Sequence, residues 1–93
     1  MKDAAELAIL RAWFLLEDAA ERPACERIFS DALEDADLDE ALKIRAEIGL
    51  ARIERLDGRP AESRKRLEEL LPRTVDLPKL RRILLEQLGP PRW

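Results

Sequence analysis

Three aspartates at alternate positions, Asp35, Asp37 and Asp39, come nearest to a metal-binding motif in this chain. Alternating carboxylates open a calcium-binding loop, which also needs glycine at the sixth place and a bidentate glutamate at the twelfth. Those two places hold Glu40 and Ala46. Because both requirements fail, we interpret the aspartates as an acidic helix start, which the helix macrodipole favours. We predict no metal site.

The chain lacks several of the residue types that catalytic sites commonly use. The chain contains no histidine and one cysteine, which excludes a Ser-His-Asp triad, a Cys-His dyad and a histidine-ligated metal. Cys25 lies near a predicted helix start, where a thiolate is favoured, but a free cysteine is more often a small buried residue. Adjacent carboxylates on a helix do not face each other, so the pairs in this chain do not form an acid-base site. We predict a protein that is not an enzyme and has no cofactor.

A set of basic side chains crowds into the last third of the chain and is of the type that attracts phosphate groups. It comprises Arg64, Arg66, Lys79, Arg81 and Arg82. A small regulator associated with nucleic acid is therefore one interpretation. The net charge of −3 and the absence of tyrosine count against it, because nucleic-acid-binding domains are commonly basic overall. A protein partner with an acidic surface fits the set equally well.

A second basic set lies on one predicted helix. Arg45, Arg52 and Arg55 are spaced by seven and three residues, which places them near one helix face, and Arg11 can extend the row from another helix. Arginine binds carboxylates in a bidentate manner, so an anionic peptide is one candidate ligand. The alternative is a solvated face on which Glu-Arg pairs favour solubility.

The charge of the chain is unevenly distributed. Residues 1–40 hold 12 acidic and 4 basic side chains, a balance of −8, whereas residues 41–93 hold 8 and 13, a balance of +5. Such a dipolar molecule can steer a partner or orient two copies head to tail. Ordinary solvated helix faces are the alternative interpretation.

These side chains require helices to position them. The chain is rich in leucine and alanine and poor in β-branched residues, so we predict an all-α domain over residues 1–89 with a tail over 90–93. Prolines and glycines divide it into helices, and short links favour antiparallel hairpins. The predicted helices cover residues 3–21, 23–35, 37–56, 60–72 and 77–88.

A faint internal repeat organises these helices. The tripeptide Arg22-Pro23-Ala24 returns 37 residues later as Arg59-Pro60-Ala61, and Leu33 returns as Leu70. Each unit reads as one helix, a turn and a second helix that opens with proline. The units cover about 3–36 and 38–72, and the helix over 77–88 lies where a third unit should begin. This pattern predicts a short α-solenoid with a C-terminal capping helix.

The repeat resembles the tetratricopeptide repeat family, most closely in residues 44–72. Leu50-Ala51, Gly58, Leu67 and Leu70 follow the spacing of that family, and Ser63 stands where it has a small residue. Glu47 and Glu54 replace aromatic positions, and Glu21 replaces the turn glycine of the first unit. The resemblance implies a protein-interaction scaffold whose groove is lined by the first helix of each pair.

The first predicted helix is apolar almost all the way round, although an end helix of such an array needs a polar outer face. We therefore predict that the chain self-associates, as a homodimer, or binds a partner helix through Trp13, Phe14 and Leu16, with Arg11 beside them. The apolar run of this helix is too short for a bilayer, which takes about 20 residues. The single cysteine and the lack of a recognisable signal peptide predict a cytoplasmic protein.

Overall fold

The computed structural model describes residues 2–89, with side chains from residue 4 onwards, and this part of the chain is all-α. It contains five α-helices and one 3₁₀ turn, and none of its residues forms a strand. The predicted fold class and helix number are thereby confirmed. The helices are α1 Lys2–Leu15, α2 Arg22–Glu34, α3 Glu40–Leu56, α4 Pro60–Leu70 and α5 Pro78–Leu88, and the 3₁₀ turn is Leu71–Thr74.

Proline and glycine mark most of the helix boundaries, as predicted for Pro23, Pro60, Gly58 and Gly89. A proline occupies the first turn of α2, α4 and α5, where its missing N–H would have no intrahelical acceptor. Gly58 and Gly89 follow α3 and α5 with φ of 83° and 80°. Only glycine adopts that left-handed conformation without steric cost, so these two residues end their helices.

Two predicted helix starts and the end of the first helix are wrong, and the fourth helix ends at Leu70 rather than Pro72. The first helix ends at Leu15 rather than Glu21, because the Asp18 carboxylate accepts a hydrogen bond from the Ala20 N–H at 2.9 Å and draws residues 16–21 into turns. The expected capping box of Asp37 and Glu40 does not form. Instead α3 begins at Glu40 itself, and the Asp35 carboxylate accepts the Asp37 N–H at 3.0 Å.

The start of the fifth helix is corrected in the same way. It begins at Pro78, with Leu77 rather than Asp76 in the N-cap position. The link before it contains the 3₁₀ turn, in which the buried Thr74 hydroxyl donates to the Leu71 carbonyl at 2.9 Å. This hydrogen bond satisfies a polar group that would otherwise be costly to bury.

Helix α3 is the centre of the fold, because it contacts all four other helices. One hydrophobic cluster joins α1, α2 and α3, and a second joins α3, α4 and α5. Trp13 packs against both clusters. The buried members of the first cluster are Ile9, Ala12, Leu16, Cys25, Phe29, Ala32, Leu38, Ala46, Leu50 and Ile53. Those of the second are Ile44, Ile48, Ala51, Leu67, Leu70, Leu80 and Leu84.

A glycine in the middle of α3 makes room for the largest side chain of the first cluster. A Cβ atom added at Gly49 would lie 2.6 Å from Cζ of the Phe29 ring, which is fully buried. The sequence marks Gly49 only as an isolated glycine, whereas the structure shows that α2 approaches α3 closely at this point. Gly49 therefore has a packing role that offsets its cost of about 1 kcal/mol in a helix interior.

The internal repeat is visible in the pattern of burial, but its second half is displaced by one residue. In α1 and α3 the buried residues correspond at an offset of 37, as Leu16 and Ile53 do. In α2 and α4 the buried residues correspond at an offset of 38 residues. Phe29 therefore matches Leu67, and Ala32, rather than Leu33, matches Leu70. The Arg-Pro-Ala tripeptides thus mark helix starts rather than equivalent packing positions.

Candidate functional site

The outer face of α1 carries an exposed apolar stripe, which we call the α1 stripe and define as Ala4, Leu7, Arg11 and Phe14. Phe14 is 84% exposed and Leu7 is 59% exposed. The four residues are spaced by three, four and three, so they lie along one side of the helix. This side is opposite the core-facing residues Ile9 and Leu16, because the helix turns by 100° per residue.

The structure divides the four predicted interface residues of this helix into two groups. Phe14 and Arg11 are exposed, as an interface requires. Leu16 is fully buried in the first cluster, so its assignment to an interface is wrong. Trp13 is only partly exposed, and its Nε1 donates to the Arg45 carbonyl at 3.3 Å. Trp13 therefore fixes α1 against α3 rather than anchoring a partner.

Leu7 and the edge residue Leu15 are functional candidates that the sequence analysis missed. Both are exposed leucines on α1. Leu7 lies seven residues before Phe14, and this spacing is the signal that places the two side chains on the same side. This spacing is not distinctive in the sequence, because apolar residues occur on all sides of the helix and form no single stripe.

The predicted arginine row on α3 is split between two places. Arg52 donates to the Gln87 side-chain carbonyl at 3.1 Å and pairs with Glu17, and Arg55 donates to the Gln87 backbone carbonyl at 3.5 Å. These two arginines therefore connect α3 to α5 and to the turn after α1. They serve the packing of the helices, and less of their hydrogen-bonding capacity is left for a ligand.

Arg45, the third member of the row, borders a cavity of about 410 Å³ between α3 and α5. Its Nε is buried and has no hydrogen-bond partner among the described residues. Lys79 and Asp76 also line the cavity, together with apolar side chains such as Leu77 and Ile83. The cavity thus combines an apolar wall with a charged rim.

The predicted basic patch is not a continuous cationic surface. Three of its five members are paired with carboxylates of the chain, and Arg81 donates to the Leu71 carbonyl at 3.4 Å. Exposed pairs of this kind are weak, but they reduce the positive charge presented to a phosphate. The pairs are Arg64 with Glu68 at 3.8 Å, Arg66 with Glu54 at 2.9 Å and Arg82 with Glu86 at 3.6 Å.

The charged cleft between α3 and α4 is an internal ion-pair network. The hydrogen bond to Glu54 raises the pKa of Arg66, and the hydrogen bond to Glu40 raises the pKa of Arg73. Arg73 also bonds Glu47 at 2.7 Å, and Glu47 lies 4.0 Å from Arg66. Because these carboxylates and guanidinium groups bond one another, the ion-pair network in the cleft holds the two helices together.

The remaining chemical candidates are Cys25 and the aspartates before α3. Cys25 is buried, and burial, followed by the negative charge of Glu21, raises the pKa of its thiol. A raised pKa leaves little thiolate near neutral pH, which is the opposite of a reactive cysteine. Within the described residues, no group of three or more His, Cys, Asp or Glu side chains is placed to hold a metal ion.

Comparisons of this chain with protein-family models, with curated proteins and with solved structures found no match. None of the helices within residues 2–89 combines the length and the apolar character that crossing a bilayer demands. The candidate sites of the described residues are the α1 stripe and the cavity beside Arg45.

Proposed function

We propose that this protein is a non-catalytic interaction module that self-associates through the α1 stripe. The observation that carries the proposal is the exposure of Phe14 and Leu7 on one side of an end helix. Aromatic residues dominate the binding energy of interfaces, and such a side chain in water contributes nothing to the stability of the single chain. Phe14 is the anchor of this interface.

The architecture that we propose for the module is a short array of antiparallel hairpins similar to tetratricopeptide repeats. Helices α1 and α2 form the first hairpin, α3 and α4 form the second, and α5 caps the end. Two features support it. Burial repeats between the hairpins, and the small residues Cys25 and Ser63 are buried at equivalent places in α2 and α4. An array of this kind has two ends, and α1 forms one of them.

The strength of the association depends on how much apolar surface the contact removes from water. Burying about 400 Å² of apolar surface stabilises a complex by about 10 kcal/mol before the costs of lost motion and desolvation are subtracted. Those costs are of similar size, so we expect a weak to moderate association that depends on concentration rather than an obligate complex.

The test is the solution mass of the full chain, measured by light scattering across about a hundredfold dilution. We expect the mass of the wild-type protein to exceed that of one chain and to fall on dilution. Phe14→Glu should remain at the mass of one chain. Val75→Glu is the matched control, because Val75 is another apolar residue that is 65% exposed but lies far along the chain from α1. A wild-type protein that stays monomeric throughout would refute the proposal.

A second candidate function, binding of an acidic peptide, is favoured by the unpartnered Nε of Arg45 beside the cavity of about 410 Å³. Because the Nε itself is buried, a carboxylate would be bound by the other guanidinium N–H groups of Arg45. Titration of a fluorescent poly-glutamate peptide tests this candidate. Arg45→Ala should abolish binding, whereas Arg64→Ala, an exposed arginine paired with Glu68, should not. The proposed nucleic-acid regulator is less well supported, because the arginines that it requires are paired.

A further inference from the structure

We infer that the α1 stripe of one copy docks on the outer face of α5 of the next copy, so that the chains assemble end to end. This inference rests on the proposed self-association and names the surface that receives the stripe. The alternative is a two-fold pair in which α1 contacts α1. The two arrangements use different residues of the same chain, and the structure provides reasons to prefer the first.

The outer face of α5 is a second exposed surface with an apolar centre. Pro78, Arg82 and Leu85 are spaced by four and three, so they share one side of the helix. Leu85 is 46% exposed, and the Arg82 side chain is 85% exposed. The three residues border an open depression of about 590 Å³ together with Arg81, Glu86 and Gly89. A projecting aromatic ring such as that of Phe14 fits a depression of this kind.

The two surfaces lie on the two end helices of the fold. The core side of α1 packs in the first hydrophobic cluster, and the core side of α5, through Leu80 and Leu84, packs in the second. Helix α3 lies between them and contacts both. A copy that places its α1 stripe on the α5 face of another copy therefore continues the order of the helices from one chain into the next.

Charge favours this arrangement. Exposed carboxylates lie beside or just after the α1 stripe at Glu6, Glu17 and Asp18, and residues 2–21 hold five acidic and two basic side chains. Helix α5 holds three basic side chains and one acidic side chain, and Arg81 and Arg82 lie about one turn before Leu85. Docking α1 on α5 brings these carboxylates towards the arginines, and Arg11 of the stripe can pair with Glu86 on the α5 face, so that opposite charges steer the encounter and fix the orientation. Glu17 and Arg82 have partners within the chain, but both remain largely exposed.

The two-fold pair of α1 helices is disfavoured by the same charges. In a two-fold interface the residues next to the axis meet their own copies. The midpoint between Leu7 and Phe14 falls at Arg11, so an antiparallel pair that buries both apolar residues brings two Arg11 guanidinium groups together. It also brings the acidic flanks of the two copies close to each other. Like charges in contact oppose association.

The end-to-end contact is heterologous, because it joins two different surfaces, and each added copy leaves one free surface of each type. Two full-length variants test it, one with Phe14→Glu and one with Leu85→Glu. Each is expected to be monomeric on its own. An equimolar mixture should form a complex of two chains and no larger species, because only the α1 stripe of the Leu85→Glu chain and the α5 face of the Phe14→Glu chain remain intact.

Other outcomes overturn the inference in distinguishable ways. One alternative outcome is that Leu85→Glu chains associate with one another as wild-type chains do, with no complex between the two variants in the mixture. That result would mean that α1 pairs with α1, so it would support self-association but contradict the end-to-end contact. If the wild-type chain is monomeric, both fall. Circular dichroism monitors folding, and Arg82→Glu replaces Leu85→Glu if that variant unfolds, since Arg82 is almost fully exposed.

Discussion

Individual residues in this protein owe their roles to the neighbours that folding gives them. Trp13 and Phe14 are adjacent aromatic residues, yet one bridges two core clusters and the other is exposed to water. Gly49 and Cys25 are similarly unremarkable in the sequence. The first accommodates a phenyl ring, and the second is a buried thiol. Each therefore supports a prediction that depends on its packed environment.

Gly49→Ala should lower the free energy of unfolding by about 1–3 kcal/mol, although alanine is the better helix former. The added methyl group meets the buried Phe29 ring, which has to shift. Chemical denaturation of the variant measures the loss. Adding Phe29→Leu to Gly49→Ala should cost less than the sum of the two single changes, because the smaller side chain leaves room for the methyl group. Strict additivity of the two would show that the contact does not matter.

The raised pKa of Cys25 predicts a loss of stability in alkali. Above the ordinary thiol pKa of about 8.5, the unfolded chain loses its thiol proton while the folded chain keeps it. The unfolded state then binds fewer protons, so the free energy of unfolding falls as pH rises, up to the folded pKa. Denaturation curves between about pH 7.5 and pH 9.5 measure this fall. The same curves for Cys25→Ala should be flatter, and an identical slope would contradict the assignment.

At the scale of the helices, the observed boundaries differ from the predicted ones mainly where side-chain hydrogen bonds compete with helix formation. The Asp18 carboxylate, by bonding the Ala20 N–H, ends α1 six residues early relative to the expected Glu21. The buried residues of α2 and α4 correspond at an offset of 38 rather than the 37 of the repeated tripeptide.

Substitutions on the two sides of α1 should separate packing from association. Leu16→Ala should lower the free energy of unfolding by about 2–5 kcal/mol, because it leaves a cavity in the first cluster. Leu7→Ala removes the same atoms from a side chain that is 59% exposed and should change monomer stability by less than about 0.5 kcal/mol. Denaturation in dilute solution measures both. Similar losses would mean that α1 is rotated relative to the described arrangement.

The molecule is flat, and its first and last helices differ in charge. Its principal dimensions are 45, 34 and 18 Å, and the shortest accommodates no more than two layers of helices. Residues 2–21, which include α1, hold five acidic and two basic side chains, whereas α5 holds one acidic and three basic side chains. The exposed apolar side chains Leu7, Phe14 and Leu85 lie on these two helices.

Salt should distinguish the two modes of self-association by the sign of its effect. Raising the ionic strength from about 0.05 M to about 0.5 M screens surface charges. The end-to-end contact joins opposite charges and should weaken, whereas a two-fold α1 pair joins like charges and should tighten. Sedimentation equilibrium at the two salt concentrations measures the association constant. A tighter association at high salt would contradict the end-to-end arrangement.

The sequence alone determined the helices and most of their boundaries. Proline lacks a backbone N–H and glycine tolerates a positive φ, and these are properties of the local chain that hold in any context. Thus Pro23, Pro60, Gly58 and Gly89 marked helix starts and ends correctly. The scarcity of β-branched residues likewise sufficed for the all-α class.

Only the tertiary structure decided which side of α1 is exposed and which arginines are paired. Helix α1 is apolar on all sides, so its periodicity does not distinguish Leu16 from Phe14, and the choice is made by contact with α2 and α3. The close approach of Phe29 to Gly49 and the pairing of Arg66 with Glu54 join residues on different helices. Such contacts depend on how the helices pack, which the spacing of residues within one helix does not specify.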